Sequence, residues 1–545
     1  MKRLLFAFLA VLSLTACELI VDEFDSSEST QSNTQEETLI AVPSVESALT
    51  VVPSVANQVF KIDANTAGIS ISTNENLAGK SIYYAVVNTS STKVEKEYAR
   101  YVTEKTNSDR SVVEETYEPE FDDDDEDIHN APLHDYFFPE FETSSSRSVS
   151  SKAVAPVEKL TLKEGTTKKT LYVRGRSDYT LKTATLYAFN DICNIWILDG
   201  DAFITGEKRK FELSESYAKK FAEIYPLIRT VFGEESDSIY TSTRGARESM
   251  NKISETGTKV NIVLYDIGAD ASQGNTIGLF SSMDYYKNGL TFSNTKVNRS
   301  NEGKYFYIDS YFAVTRYDYS LSTLAHEFQH MINFSVKAMN GLSCDSNLNE
   351  MLSMLCEDMM QSYLGISDEY SPRNRIKTFI KKYYLTGIRN YDASVVAYAN
   401  AYIFGVWLTR EFGGAPLVKE MMSNKASNND CIAKAVNTLS GKNMSFDEIF
   451  SQFVNAVFHP EESAFVRDAD ESLSCGSYTY PMKGLSRFES PVIFENFAVS
   501  SIPASYGIIF KKYAEISGSE TSVKLNFATE SGKTNSNVLV YVCIK

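Results

Sequence analysis

Hydrophobic residues in the first third of the chain alternate with polar ones in short runs, a pattern that is typical of β-strands. Glycine and asparagine turns separate these runs, which lie at 58–62, 69–72, 81–87, 159–162 and 170–173. On this basis we assign residues 46–175 to a β-sandwich. Similar runs return near the end, so residues 487–545 are predicted to form a small C-terminal β element.

Residues 176–486 have a different pattern, in which strand-like runs are followed by longer segments with the helical period. The runs that predict strands lie at 185–188, 195–198, 259–265 and 304–308. The helical segments lie at 215–232, 395–412 and 445–458. Ser214 is expected to cap the first helix, and Pro226 to kink or shorten it. Gly413 is expected to end the second helix. This part of the chain is therefore predicted to be an α+β domain.

Five histidines occur in the chain, and two of them, His326 and His330, lie four residues apart with Glu327 between them. Residues four apart share one face of a helix, so the two imidazoles point the same way. This is the His-Glu-x-x-His arrangement of zinc proteases. Catalytic zinc takes three protein ligands and keeps one position for water. Glu350 lies where a second helical pattern begins, and it is the candidate third ligand.

Both assignments have a plainer alternative, since an ordinary surface helix can carry two histidines and Glu350 could simply stabilise a helix start.

Peptide hydrolysis requires a stronger nucleophile than free water. Zinc lowers the pKa of bound water to about 7, and Glu327 is positioned to accept the proton. A further group must stabilise the oxyanion.

The residues HEFQH at 326–330 and LNE at 348–350 resemble the gluzincin metallopeptidases, and most closely the hyicolysin-type neutral metallopeptidases. The resemblance extends from about residue 222 to residue 414. It includes YP at 225–226, VLYDIG at 263–268 and LSTLA at 321–325.

This resemblance implies a thermolysin-like catalytic domain over residues 176–486, with a mixed sheet and a helical lobe. It implies zinc as the cofactor, with His326, His330 and Glu350 as the ligands. Glu327 would be the general base.

The sequence departs from the thermolysin pattern at two points. Met354 stands where thermolysin-like proteins have an aspartate that orients a metal-bound histidine. Glu357 is on the same helical face as Glu350, as in gluzincin aminopeptidases, and could take over this function. A solvent-facing acid is the alternative. The thermolysin-type catalytic histidine has no clear counterpart, because His459 is more typical of a packed or surface residue.

Tyr398 is the candidate for the group that stabilises the oxyanion. It begins the segment YANAYIFGVWLTREFGG, which resembles the aminopeptidase segment whose first tyrosine donates to the oxyanion. Tyr402 is the alternative, and a tyrosine that only fills the core is another.

The N-terminus predicts export. Two basic residues precede an apolar run, so residues 1–16 are predicted to be a secretory signal peptide. The sequence LTAC ending at Cys17 resembles a bacterial lipobox, which implies cleavage before Cys17 and lipidation of its thiol. An ordinary signal peptide with an incidental cysteine is the alternative. Residues 17–45 are rich in polar residues and predict a flexible tether. Glu18 replaces the aspartate of inner-membrane retention, which favours the outer membrane or cell surface.

The formal net charge of -18 makes nucleic acid and anionic lipid poor partners, so membrane contact is expected only through the lipid anchor. No later run is long and apolar enough to span a bilayer. Residues 103–156 predict a disordered insert that carries the acidic run 122–127. Structural calcium is one hypothesis for that run, although solvated acidic runs are commoner. His129 and His134 in the insert are poor ligand candidates.

Six cysteines remain after Cys17, namely Cys193, Cys344, Cys356, Cys431, Cys475 and Cys543. In an oxidising compartment they could form three disulfides, one of them between Cys344 and Cys356 on either side of Glu350. Buried free thiols are the alternative.

The hypothesis that best fits these patterns is a tethered zinc endopeptidase acting on proteins or peptides outside the cytoplasm. An aminopeptidase is less favoured, because no Gly-x-Met-Glu-Asn sequence precedes His326. A surface adhesin with a vestigial protease domain is the other alternative. The intact set of two histidines and two glutamates weighs against it.

Overall fold

The computed structural model describes residues 49–95, 166–241, 250–526 and 537–545, apart from short gaps within these ranges. The predicted signal peptide, Cys17, the tether and the insert at 103–156 lie outside the described residues, as do His129, His134 and the acidic run. Among the helices that the structure describes, none is both long and apolar enough to cross a membrane.

The strands of the described residues are, in chain order, β1 (Leu49–Val52), β2 (Val59–Asp63), β3 (Gly68–Thr73), β4 (Ser81–Asn88), β5 (Val94–Glu95), β6 (Lys168–Arg174), β7 (Tyr179–Phe189), β8 (Cys193–Leu198), β9 (Ser238–Tyr240), β10 (Met250–Lys252), β11 (Val260–Tyr265), β12 (Gly278–Phe280), β13 (Thr291–Phe292), β14 (Thr295–Lys296), β15 (Tyr305–Asp309), β16 (Ser501–Ile502), β17 (Gly507–Glu515), β18 (Ser522–Asn526) and β19 (Val538–Ile544).

The α-helices are α1 (Glu207–Phe232), α2 (Ser310–Thr315), α3 (Tyr317–Val336), α4 (Ser346–Leu364), α5 (Ile376–Lys382), α6 (Val395–Phe412), α7 (Gly414–Ser423), α8 (Asn428–Ser440) and α9 (Phe446–Phe458).

A six-stranded mixed sheet forms the base of the α+β domain, with the strand order β12-β15-β11-β8-β7-β6. The central strands β8, β11 and β15 are parallel, and the outer strands join antiparallel. Every residue of β11 is buried, as expected for a strand covered on both faces. The strands predicted at 185–188, 195–198, 259–265 and 304–308 are all in this sheet.

Helices α1 and α3 pack together on one face of this sheet through aromatic side chains. The ring of Phe221 on α1 lies 5.0 Å from that of Phe328 on α3 and 5.8 Å from that of Phe306 on β15. Edge-to-face contacts of this kind add to the free energy of apolar burial. The packing fixes α3 beside the sheet edge formed by β12.

The remaining described strands form a four-stranded sheet, a three-stranded sheet and three two-stranded sheets, and the pairing in the two larger ones differs from the predicted domains. β17 and β19 pair with β4 on its two sides, in the order β17-β4-β19-β2, and β18 pairs with β3. The prediction of a separate C-terminal β element is therefore wrong, because β4 is largely buried and its hydrogen-bonding partners come from the C-terminal segment. Whether the sheets stack as a sandwich stays a prediction.

The assignment of strand β6 to the N-terminal β-sandwich is also wrong. This strand pairs with β7 in the six-stranded sheet, and its Leu171 and Val173 join the core on that sheet. The predicted run at 159–162 lies outside the described residues.

The predicted end of a helix is confirmed where the capping residue acts on its immediate neighbours in the sequence. Helix α6 has the predicted bounds, and Gly413 ends it with a left-handed backbone. Helix α1 instead begins two turns before the predicted cap Ser214, which is buried within it. The helix also continues past Pro226, so the predicted early stop is wrong. Proline removes one hydrogen-bond donor, and the buried face of α1 on both sides of Pro226 outweighs that loss.

The six cysteines within the described residues are free thiols, five of them buried and Cys344 half-buried. The alternative of a bridge between Cys344 and Cys356 is wrong. Helix α4 separates the two residues by about 16 Å along its axis, whereas a disulfide allows only about 7 Å between Cα atoms.

Candidate metal centre

Helix α3 is positioned by the end of strand β15. The carboxylate of Asp309, the last residue of β15, accepts hydrogen bonds from the backbone N–H groups of Tyr311 and Phe312 and so caps α2. Helix α3 follows after a single residue, Arg316. The chain therefore passes from the sheet directly into this helix, and the side chains from Ser320 to Ser335 are all buried.

Helix α4 begins at a second cap and packs against α3. Asp345 accepts a hydrogen bond from the backbone N–H of Leu348 at 2.7 Å. The helix ends at Gly365, whose φ of 76° is a left-handed conformation that glycine adopts easily. Between the helices the amide of Asn333 donates to the side-chain oxygen of Asn349. This contact lies next to Glu350 and sets the register of the two helices.

Three side chains from these helices, those of His326, His330 and Glu350, converge on one point, the metal point. Oε2 of Glu350 lies 3.1 Å from Nε2 of His326 and 3.6 Å from Nε2 of His330. A tetrahedral zinc ion with bonds of about 2.1 Å holds its ligand atoms about 3.4 Å apart. Among the described residues, these three are the metal-ligating side chains that lie close enough together to hold one metal ion.

The hydrogen bonding around these atoms fits a cation. Nε2 of His330 and both carboxylate oxygens of Glu350 are buried and have no hydrogen-bond partner of good geometry among the described residues. Buried polar atoms without partners are costly. Lone pairs that face each other repel unless a positive charge lies between them. The donor set, two imidazole nitrogens and one carboxylate oxygen, is one that zinc accepts in catalytic sites.

His326 is held by a carboxylate from α4. Its Nδ1 lies 2.7 Å from Oε1 of Glu357, and Ser322 donates to the other oxygen of Glu357. A carboxylate only accepts, so the proton of this imidazole is assigned to Nδ1, and its Nε2 lone pair is directed to the metal point. The structure thus brings Glu357 to the position that the sequence suggested.

Glu327 lies beside the metal point and against the edge of the six-stranded sheet. It is 1% exposed, and its Oε1 would be only 2.7 Å from a Cβ atom placed on Gly278 of β12. The Cγ2 of Thr323 would be 2.4 Å from that same Cβ. Only glycine permits this approach of strand β12 to helix α3.

The two glutamates have opposite electrostatic environments. Burial raises the pKa of Glu327 to about 7, against the lowering effect of His326 and His330. Burial alone would also raise the pKa of Glu350, but the charges that His330 and His326 carry when protonated outweigh it and hold the pKa well below its usual range. Glu350 is therefore a permanent anion at neutral pH, whereas Glu327 can exchange a proton.

The candidate tyrosines occupy different surroundings. Tyr398 is half-buried in the first turn of α6, with its hydroxyl oxygen 3.2 Å from that of Tyr391 and the guanidinium of Arg375 5.0 Å from its ring centroid. Tyr402 is fully buried and donates to Asp358, 3.3 Å away. The hydroxyl proton of Tyr402, the alternative candidate for stabilising the oxyanion, is therefore already used in this bond.

His459 is a packed residue, as the sequence suggested. It is buried after α9, and its Nε2 lies 3.3 Å from Sγ of Cys543 on β19. Three residues at the site, Ser353, Gln329 and Gly278, were not predicted from the sequence. Ser353 and Gln329 are polar residues within apolar helical stretches, and this mismatch was the signal available for them. Gly278 had no comparable signal.

A pair of helices that offers two imidazoles and a carboxylate to one point, beside a free glutamate, is the arrangement of a His-Glu-x-x-His metallopeptidase. Comparison with known proteins gives the family. The model of the peptidase M30 family matches residues 176–536, so the chain belongs to the peptidase M30 family.

A curated relative is the neutral metalloprotease ShpI of Staphylococcus hyicus, which is 27% identical over 296 residues. The alignment covers 52% of this chain and 60% of the relative, so the chain matches only part of that protein's length. The resemblance to hyicolysin-type metallopeptidases predicted from the sequence is confirmed.

Proposed function

We propose that this protein is a zinc-dependent endopeptidase that hydrolyses peptide bonds in proteins or peptides outside the cytoplasm. The observation that carries the proposal is the convergence of His326, His330 and Glu350 within 4.8 Å of one another. Membership of the peptidase M30 family and the similarity to a neutral metalloprotease support it. A gluzincin-type catalytic domain is part of the same proposal.

The chemistry divides between the ion and the protein. Zinc held by these three ligands would lower the pKa of a bound water to about 7 and polarise the substrate carbonyl. Glu327 would accept a proton from that water and pass it to the leaving amine, a role for which a pKa near neutrality is suitable. Glu357 keeps the His326 imidazole in the tautomer that presents Nε2.

Strand β12 is the proposed docking edge for the substrate. It is the outer strand of the six-stranded sheet and pairs only with β15 among the described strands. An extended peptide can add to such an edge through backbone hydrogen bonds. Gly278 brings this edge against Glu327, so a peptide bound there would pass beside the general base.

The activity is tested with an internally quenched peptide that is blocked at both ends. Cleavage that a zinc chelator abolishes and added zinc restores would support the endopeptidase. Turnover limited to substrates with a free N-terminus would favour an aminopeptidase instead. A protein that binds no zinc and cleaves neither substrate would favour the adhesin.

Tyr398 is proposed to donate its hydroxyl to the oxyanion. Replacement by phenylalanine removes one hydroxyl, and we expect kcat to fall by about 10²–10³-fold while KM and zinc affinity stay close to the parent values. Tyr391→Phe is the matched control, because its hydroxyl contacts that of Tyr398. Steady-state kinetics of the two variants distinguish them. A larger loss in Tyr391→Phe would transfer the role to Tyr391.

Export and lipidation at Cys17 remain part of the proposal, with the outer membrane or cell surface as the location. The anchor would be the membrane contact, and no nucleic-acid partner is proposed. Release of a Cys17→Ser variant from the membrane fraction tests the anchor. Calcium binding by the acidic run 122–127 is tested by calcium titration of the purified protein.

A further inference from the structure

The second imidazole of the metal centre is held by neutral groups. Nδ1 of His330 lies 3.0 Å from Oγ of Ser353 on α4. The same Oγ lies 2.5 Å from Oε1 of Gln329 and 3.1 Å from the backbone oxygen of Asn349. Ser353 and Gln329 are 0% exposed and His330 is 1% exposed, so water does not compete for these bonds.

The number of available protons fixes the direction of each bond. A serine hydroxyl carries one proton, and the oxygens of Gln329 and Asn349 can only accept. Two oxygens 2.5 Å apart need a proton between them, so the hydroxyl proton is assigned to the bond from Ser353 to Oε1 of Gln329. The contact with His330 must then be a donation from Nδ1–H to Oγ of Ser353. This leaves the lone pair of His330 on Nε2, directed toward Glu350.

Gln329 supports this direction. Its side-chain Nε2 faces the sulfur of Met422 at 3.8 Å, a weak acceptor, so the amide presents its oxygen to Ser353. Gln329 and His330 are consecutive residues of α3, and Ser353 lies one helical turn after Glu350 on α4. One hydroxyl thus connects the two helices that carry the candidate ligands.

We propose that Ser353, oriented by Gln329, is a positioning residue that fixes the tautomer and ring orientation of His330 for metal binding. The inference rests on the proposed function. It also explains why the two imidazoles have different partners. His326 is on the more open side and uses the carboxylate of Glu357, which is 12% exposed. A further carboxylate beside fully buried His330 would be costly to desolvate, whereas a hydroxyl is not.

Ser353→Ala tests the inference through zinc affinity, measured by competition with a chromophoric chelator. Loss of an outer-shell hydrogen bond to a metal ligand typically lowers metal affinity by about 10–100-fold, and we expect a loss in that range. Alanine is a good helix former, so α4 should be retained. Ser353→Thr keeps the hydroxyl and is expected to recover most of the affinity.

Ser335→Ala is the matched control. Ser335 is likewise a buried serine whose Oγ lies within hydrogen-bond distance of the carbonyl oxygen four residues earlier, and it is on the same helix as His330. Its removal should leave zinc affinity unchanged. Equal losses in Ser335→Ala and Ser353→Ala, or parental affinity in Ser353→Ala, would overturn the inference. A parent protein that binds no zinc would instead overturn the proposed function.

A second measurement reads the tautomer directly. The chain has only five histidines, so ¹⁵N-histidine labelling gives few signals. In the zinc-free parent, His330 is expected to carry its proton on Nδ1. In Ser353→Ala this signature should disappear, because Nδ1–H has lost its acceptor. A parent that carries the His330 proton on Nε2 would overturn the inference.

Discussion

Glu327→Gln is expected to lower kcat for peptide hydrolysis by about 10²–10⁴-fold without releasing zinc, because general acid–base catalysis contributes in this range. Glutamine has nearly the same shape as glutamate but cannot accept the proton of the attacking water. The ligands His326, His330 and Glu350 are untouched, so the zinc content measured by atomic absorption should equal that of the parent. Unchanged turnover in the zinc-loaded variant would exclude Glu327 as the base.

Two further variants separate the role of Glu327 from those of its neighbours. Glu357→Gln should weaken zinc affinity, while the zinc-saturated enzyme keeps most of its kcat, because Glu357 contacts His326 and not the metal point. Gly278→Ala should lower kcat with zinc affinity preserved, since the added Cβ displaces either β12 or Glu327. A displacement of about 1 Å at a reacting group can cost about 10²-fold.

Glu350→Gln is expected to lower zinc affinity by well over the 10–100-fold typical of an outer-shell partner, since it removes the anionic ligand itself. The parent should therefore show a thermal midpoint that rises with added zinc. A ligand at about 1,000 times its Kd stabilises the folded state by about 4.1 kcal/mol. The variant should show almost no such rise at the same zinc concentration, and it should be inactive.

The fold of this variant needs its own check, because Glu350 is fully buried. The near-isosteric amide avoids a cavity, and far-UV circular dichroism of both zinc-free proteins should coincide. Ser335→Ala again provides a comparison in which buried polar atoms are lost away from the metal point. If Glu350→Gln bound zinc as tightly as the parent, the third ligand would have to be another residue.

The parts of the site that are encoded locally were predictable. The four-residue spacing of His326 and His330 puts both on one helix face whatever surrounds the helix. Glu350 and Glu357 followed from their positions in the next amphipathic segment. The partners of His330 could not be predicted, because the contact of Ser353 with Gln329 depends on which residues of α3 and α4 meet, and the period of each helix does not give this.

The same division holds for the fold. Helix α6 could be delimited because Ser394 and Gly413 are caps that act on adjacent residues. Strand pairing could not, since the alignment of Asn88 with Gly507 joins residues that are distant in the sequence. Strand β6 was misplaced for this reason: alternation identifies a strand but not its partner.

The position of β4 between β17 and β19 has a consequence for biosynthesis. The ribosome makes β4 long before either neighbour, and the whole peptidase domain emerges in between. That domain can therefore fold first, while β4 is still an apolar strand without a partner on either edge. Such an edge is a template for aggregation. A chaperone, or delayed folding until after translocation, would be most needed in this interval, and a nascent chain interrupted before residue 507 would be a poor candidate for solubility.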